Sequence, residues 1–108
     1  MRQTGAAEGC CIYGNTLQNI FKQNMPPFSS TKAFTGHTLA AAASIEAVIT
    51  ILSIQQKTIF PNLNCITPMQ DTTLFPLTSL QKNIEINHAL SNSFGFGGNC
   101  SSLIFSKN

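Results

Sequence analysis

A lysine and a histidine stand five positions apart immediately before a long apolar segment. Lys32 and His37 precede a run in which Glu46 is the one charged residue among apolar neighbours. An imidazole at a helix N-terminus lies against partial positive charge, which favours the neutral ring and keeps its N–H available to an oxygen. An ionised carboxylate among apolar side chains needs a partner, and Lys32 is the candidate. The pattern predicts a Lys–Glu pair beside a neutral histidine, although a lone histidine there is also typical of helix capping or packing.

A glycine-rich segment, residues 92–98, offers a second candidate. Alternating glycines permit positive φ and a close backbone approach, as in a hairpin turn or a loop that holds phosphate. The phosphate interpretation lacks the helix that normally follows such a loop, because residues 101–105 have the pattern of a strand. Phe94 and Phe96, set between glycines, are instead suited to a mobile apolar gate.

The cysteines and histidines do not form a pattern that indicates a metal site. The four cysteines are Cys10, Cys11, Cys65 and Cys100. Two are adjacent and the other spacings are irregular, so we expect reduced thiols rather than a disulfide framework. Neither C-x-x-C nor a histidine pair at helical spacing occurs, and we expect no structural zinc.

Two helices are predicted to position these residues. A short helix is predicted within residues 10–22, and the prolines at positions 26 and 27 end it. Apolar residues recur every three or four positions over residues 37–55, which predicts a long and mostly buried helix. Its alanine-rich start, residues 40–43, lacks bulk, so another backbone is expected to approach it closely.

The second half of the chain is predicted to contain loop and then strands. Residues 60–64 and 68–76 are interrupted by proline and read as surface loop. Residues 85–91 and 101–105 are predicted strands on either side of the glycine-rich segment. The fold class is therefore α/β.

Composition narrows the possible functions. Of 108 residues, 43% are hydrophobic but only 9% are charged, and the net charge is +2. A single small domain is expected, with much of its exterior covered by another body, since a free-standing domain carries more charge. The few scattered lysines argue against nucleic-acid binding, and interrupted apolar runs argue against a membrane span or a signal peptide.

Three ordered segments resemble the C-terminal end of β-ketoacyl-[acyl carrier protein] synthases. They are KAFTGHTLAAAASIEA at 32–47, FPNLN at 60–64 and ALSNSFGFGG at 89–98. The resemblance covers residues 29–105, and residues 1–28 form a diverged start. The whole chain, residues 1–108, is thereby predicted to be a partial β-ketoacyl synthase C-terminal domain.

The resemblance implies the C-terminal half of a thiolase-like layered fold, in which the long buried helix belongs to the central layer. It also implies decarboxylative condensation of a malonyl thioester, carried by acyl carrier protein, with a cysteine-bound acyl group. No metal or organic cofactor is expected, and dimers in the cytoplasm are typical. His37 matches the second active-site histidine, Lys32 and Glu46 match its supporting pair, and Phe96, with Phe94 nearby, matches the gate to the acyl pocket.

The chain departs from the family pattern at two catalytic positions. None of its cysteines stands in the context of the nucleophile, which belongs to the family's N-terminal half. The first histidine, of a His-Gly-Thr-Gly-Thr motif, aligns with Arg2, and a guanidinium has no acceptor to offer in its place. The resemblance therefore predicts an incomplete catalyst.

Three explanations of this incompleteness are open. The chain is a degenerate or truncated synthase, an excerpt of a larger functional one, or a non-catalytic partner resembling a chain-length-factor subunit. The missing half or a homologous synthase subunit is the expected partner in each case. An unrelated small α/β binding protein would have to acquire all three segments by accident.

Overall fold

The computed structural model describes residues 15–66, 74–95 and 97–108. Helix α1 occupies residues 15–21 of this part. Lys22 follows it with φ 50°, and its N–H still donates to the Gln18 carbonyl. A residue with positive φ cannot continue a right-handed helix. The prolines that follow keep the backbone irregular up to Ser30. The predicted short helix and its end are confirmed for the described residues.

The predicted long helix begins later than its apolar pattern indicates. Helix α2, Lys32–Thr35, is a single turn, and a 3-10 turn, Leu39–Ala41, leads into α3, Ala42–Gln55. Residues 37 and 38 are irregular, because Leu39 has a φ of 51° and breaks the helical path. Helix α3 ends where Lys57 adopts a φ of 50°.

The expectation that this helix is mostly buried is wrong for the chain alone. Glu46 is the single buried residue of α3. Val48 is 56% exposed, and Leu39, which precedes the helix, is 74% exposed. The helix is apolar around its circumference, but strand β3 (His88–Phe94) packs on one side of it, so the opposite apolar side remains in solvent.

Two antiparallel strand pairs complete the described structure. Strands β3, His88–Phe94, and β4, Cys100–Ser106, form a hairpin in which Leu90 faces Ile104. This confirms the predicted strands on either side of the glycine-rich turn, with β3 starting three residues later than expected. A shorter pair, β1 (Thr58–Ile59) with β2 (Gln81–Lys82), was not predicted because each strand has only two residues.

The most buried side chains of the described residues are polar. Leu17 is the one buried apolar residue among them. The buried polar and charged residues are Ser30, Glu46, Thr58, Asn62, Ser91 and Asn92. Buried polar groups need hydrogen-bond partners. Two contacts of this set join segments that are distant in sequence: Ser30 with Asn62, and Lys32 with Glu46.

The architecture is that of a small mixed helix and strand domain. The predicted loop is confirmed over residues 60–64 and 74–76, while residues 68–73 lie outside the described part. Cys65 and Cys100 are free thiols, and Cys10 and Cys11 also lie outside it. Across the described ranges, the helices fall short of the length and apolarity needed to cross a membrane.

Candidate active site

Lys32 and Glu46 form a buried ion pair between helices α2 and α3. The lysine Nζ donates to the carboxylate Oε1, and each side chain is only 8% exposed. The pair predicted from the sequence is therefore present. Two charges removed from water in this way must remain together, because either one alone would be buried without compensation. The contact fixes the start of α2 against the first turns of α3.

His37 lies on the loop that the Lys32–Glu46 pair closes. Its side chain is exposed, and its Nδ1 accepts the Leu39 backbone N–H at 3.1 Å. An accepting Nδ1 carries no proton, so the proton of the neutral ring is on Nε2. The imidazole therefore caps the turn before α3, and its role as an N–H donor to a substrate oxygen stays a prediction.

Gly36 gives the loop a backbone conformation that other residues avoid. Its φ is 72° and its ψ is 177°, in a region that is essentially restricted to glycine. A Cβ built at this position would meet nothing within 4 Å. Glycine is required here by the conformation, since space is available, and this conformation directs the chain from α2 to His37.

The glycine-rich segment forms a plain hairpin turn. The Gly95 N–H donates to the Asn99 carbonyl at 2.6 Å, and Gly97 and Gly98 both have φ of 90°. Strand β4 follows the turn, whereas the phosphate interpretation requires a helix at this position. Phe94 is half-buried at the end of β3, and Phe96, the predicted gate, lies outside the described residues.

A cavity of about 600 Å³ lies between α1, the proline-containing loop, α3 and β3. Its lining is mostly apolar, with Glu46 and Asn92 among its polar residues. His37 does not contribute to this lining. The structure therefore places the carboxylate of the ion pair at this cavity and the imidazole elsewhere on the surface.

Two further residues belong to the support of this site and were not predicted to do so. Asn62 and Ser30 are 2% and 1% exposed, and the Ser30 N–H donates to Asn62 Oδ1 at 3.1 Å. The sequence predicted Asn62 only as one residue of the surface loop at 60–64. A polar residue between prolines and apolar neighbours looks like a surface residue, and only a three-dimensional contact reveals its burial.

The described residues do not bring three His, Cys, Asp or Glu side chains together in a way that could hold a metal ion. The position aligned with the first catalytic histidine, Arg2, lies outside the described part. The part of the predicted site that lies within the described residues therefore consists of the His37 imidazole, the Lys32–Glu46 pair and Phe94 on the β3–β4 hairpin.

The family model for the β-ketoacyl synthase C-terminal domain matches residues 3–66, which is more than half of the chain. The chain belongs to this family. The match includes the Lys32–Glu46 pair and His37 and ends before the β3–β4 hairpin.

Curated relatives agree with this assignment. A 3-oxoacyl-[acyl-carrier-protein] synthase 2 from Vibrio harveyi is 44% identical over 81 residues, which cover 73% of this chain and 19% of that protein. The protein of the same name from Staphylococcus aureus (strain COL) is 39% identical over 79 residues, with the same coverage of 73% and 19%. This β-ketoacyl synthase C-terminal domain chain thus spans about a fifth of the length of these relatives. Its mixed helix and strand structure is consistent with a thiolase-like C-terminal domain.

Proposed function

We propose that this chain is a degenerate or partial form of a 3-oxoacyl-[acyl carrier protein] synthase and forms the C-terminal part of its condensing site. In this proposal, His37 donates from Nε2 to the thioester oxygen of a malonyl group carried by acyl carrier protein. The observation that carries the proposal is the hydrogen bond from Leu39 to His37 Nδ1, which leaves the exposed Nε2 as the donor. The names of the relatives supply the acyl carrier protein, and the cytoplasmic setting follows from the family resemblance.

The chemistry requires a neutral donor at this position. Loss of carbon dioxide from a malonyl thioester leaves an electron pair that spreads onto the thioester oxygen as an enolate. A fixed N–H directed at that oxygen stabilises charge that is absent from the ground state, and one such donor typically contributes about 10²–10³ in rate. The Leu39 N–H holds the ring in place before charge develops, so little reorganisation is needed.

The Lys32–Glu46 pair supports His37 by closing its loop. Lys32 precedes the histidine and Glu46 follows it, so their contact joins both ends of the segment that presents the imidazole. Lys32 and Glu46 are positioning residues in this account.

The nucleophilic cysteine and the first histidine must be supplied by another half of the fold, in the same polypeptide or in a partner chain. The exposed apolar side of α3 supports this requirement: Val48, Ile51 and Leu52 are 56%, 38% and 37% exposed. Apolar surface of this kind is characteristic of an interface. We infer that the second half of a layered, dimeric synthase covers it, with α3 in the central layer.

Phe96 and Phe94 complete the proposed site as the gate of the acyl pocket. Phe94 lies at the point where β3 enters the turn, beside glycines that allow the backbone to move. A half-buried ring at this position can move without unfolding the hairpin. Phe96 keeps its role from the family resemblance.

A chimeric enzyme tests the proposed function. The matched region of the Vibrio harveyi synthase is replaced by residues 29–108 of this chain, so that the host supplies the cysteine and the first histidine. The proposal predicts that the chimera decarboxylates malonyl-acyl carrier protein at a rate well above that of a host whose histidine at the position matching His37 is replaced by Ala. A folded dimeric chimera without this activity would contradict it and favour a non-catalytic partner resembling a chain-length factor.

A further inference from the structure

Three backbone segments meet in a closed ring of hydrogen bonds centred on Asn62. The Asn62 N–H donates to the Leu77 carbonyl at 2.6 Å, and the Leu77 N–H donates to the Phe28 carbonyl at 2.9 Å. The Ser30 N–H then donates to Asn62 Oδ1 at 3.1 Å. The ring returns to its origin, because Phe28 and Ser30 are two residues apart. It holds the segment before α2 against two loops that are distant in sequence.

The side-chain amide of Asn62 has one orientation that satisfies this ring. Its Oδ1 accepts from Ser30, and its Nδ2 donates to the Leu63 carbonyl at 3.3 Å. A flipped amide would direct N–H groups at the Ser30 N–H and oxygen at the Leu63 carbonyl. Since the residue is 2% exposed, water cannot compensate for either mismatch. The Asn62 side chain is therefore a fixed acceptor for Ser30.

The ring leads directly to the buried ion pair. Ser30 Oγ accepts the backbone N–H of Lys32 at 3.4 Å, at the first residue of α2. Lys32 extends from this point to Glu46 on α3. Helix α2 has only four residues and no side-chain N-cap hydrogen bond, so its placement depends on contacts from outside the helix.

We propose that Asn62 is a positioning residue that sets the place of Lys32 against Glu46 through Ser30. Its importance for catalysis rests on the proposed function, whereas the placement of Lys32 does not. A residue that merely filled space would be replaceable by an apolar side chain of similar size. A positioning residue requires its acceptor oxygen.

Chemical labelling of lysines in the full 108-residue chain tests this inference. An amine-acetylating reagent is applied under single-hit conditions, and each lysine is quantified by peptide mass spectrometry. In the wild type, Lys32 should react at least tenfold more slowly than Lys57, since their side chains are 8% and 52% exposed. Asn62→Leu, which keeps the branched shape of the side chain but removes the acceptor, should raise the labelling of Lys32 at least fivefold and leave that of Lys57 unchanged.

Two further variants distinguish the effect of losing the Asn62 acceptor oxygen from the effect of disturbed packing. Asn62→Asp keeps an oxygen facing Ser30 but loses the N–H that donates to the Leu63 carbonyl, so it should raise the labelling of Lys32 less than Asn62→Leu does. Asn24→Leu changes an exposed asparagine and should leave Lys32 at its wild-type rate. Equal Lys32 labelling in Asn62→Leu and the wild type, with unchanged circular dichroism, would overturn the inference, as would equal labelling in the Leu and Asp variants.

If Asn62→Leu unfolds, all its lysines become reactive together and the labelling is uninformative. Hydrogen exchange of the Ser30 amide in the wild type then tests the role of Asn62. The inference predicts that the Ser30 amide exchanges at least tenfold more slowly than in an unstructured peptide. An unprotected Ser30 amide would overturn it. A protected Lys32 in a chimera that fails to decarboxylate would instead refute the proposed function and leave the role of Asn62 intact.

Discussion

Lys32 and Glu46 contact each other across the loop that carries His37, and burial makes this contact sensitive to the loss of either partner. Glu46→Leu leaves a buried ammonium without its carboxylate, and the free energy of unfolding should fall by about 3–5 kcal/mol. The double variant Lys32→Met/Glu46→Leu removes both charges and should recover most of this loss. Urea unfolding at high dilution, followed by far-UV circular dichroism, measures each value.

The matched control for this cycle is Glu85→Leu, because Glu85 is paired with lysines but lies at the surface. Glu85→Leu should lower the free energy of unfolding far less than Glu46→Leu does. A double variant as unstable as Glu46→Leu would show that Lys32 and Glu46 do not stabilise the fold as a pair.

Gly36 should resist substitution even though its surroundings are open. With φ at 72° and ψ at 177°, alanine at this position is expected to cost about 1–3 kcal/mol. The bond from the Gly36 N–H to the Lys32 carbonyl, 2.8 Å long, should open more often, so this amide should exchange about tenfold faster in Gly36→Ala. Hydrogen exchange followed by NMR measures the rate.

A chain synthesised with D-alanine at position 36 provides the control, because D-residues favour the mirror-image region of backbone space. Its amide should exchange close to the wild-type rate. Equal acceleration by both alanine enantiomers would show that the cost comes from added bulk and not from the backbone angle.

Glu85 should make the closure of the β3–β4 hairpin dependent on pH. Hydrogen bonds from Lys107 and then Lys57 hold the pKa of the Glu85 carboxyl below its ordinary value. A carboxylate with a lowered pKa in the folded chain stabilises it fully above the ordinary pKa, and this contribution is lost as the pH falls through the lowered value. Protection of the Lys107 amide, which donates to the Asn87 carbonyl, should therefore decrease in acid.

Glu85→Gln removes the titrating group and should show less of this decrease between neutral pH and pH 3. Because the three side chains are at the surface, added salt should reduce the difference between wild type and variant. An identical pH dependence in both proteins would contradict the role of Glu85.

The uncovered side of α3 should bind an apolar dye. Val48→Lys/Leu52→Lys replaces two exposed apolar side chains and should reduce 1-anilinonaphthalene-8-sulfonate fluorescence by about half, together with self-association. Ser44→Lys adds charge on the same helix at an exposed polar position and should leave the dye signal unchanged. Equal signals from the wild type and both variants would argue that this face is covered within the chain.

The order and type of residues along the chain predicted the β3–β4 hairpin and the Lys32–Glu46 pair correctly. The β3–β4 hairpin follows from alternating residues around glycines, and the partner of Glu46 follows from the need to compensate a buried charge. The start of α3 was misplaced because apolar periodicity continues through Leu39, whereas its backbone does not remain helical. Burial of α3 was overestimated because periodicity identifies an apolar surface without supplying the body that covers it.

The burial of Asn62 and its contact with Ser30 could not be predicted from the sequence, because they depend on contacts between distant segments. Asn62 is deeply buried where residues 30 and 77 meet it, and the hydrogen bonds of this ring, including that from Leu77 to Phe28, span up to 49 positions along the chain. No local spacing encodes such a convergence. The short β1–β2 pair escaped prediction in the same way, since two-residue strands have no periodicity of their own.

The most direct test of the account is the effect of His37→Ala on malonyl-acyl carrier protein decarboxylation in the chimera described above. His88→Ala is the matched control, because His88 is also exposed but lies on β3, where its Nδ1 contacts Ser106 Oγ at 3.0 Å. His37→Ala should lower the rate about 10²–10³-fold, as expected for loss of one oxyanion donor, while His88→Ala should stay within about twofold of the chimera. Equal rates in the two variants would contradict the assignment of His37 as the donor.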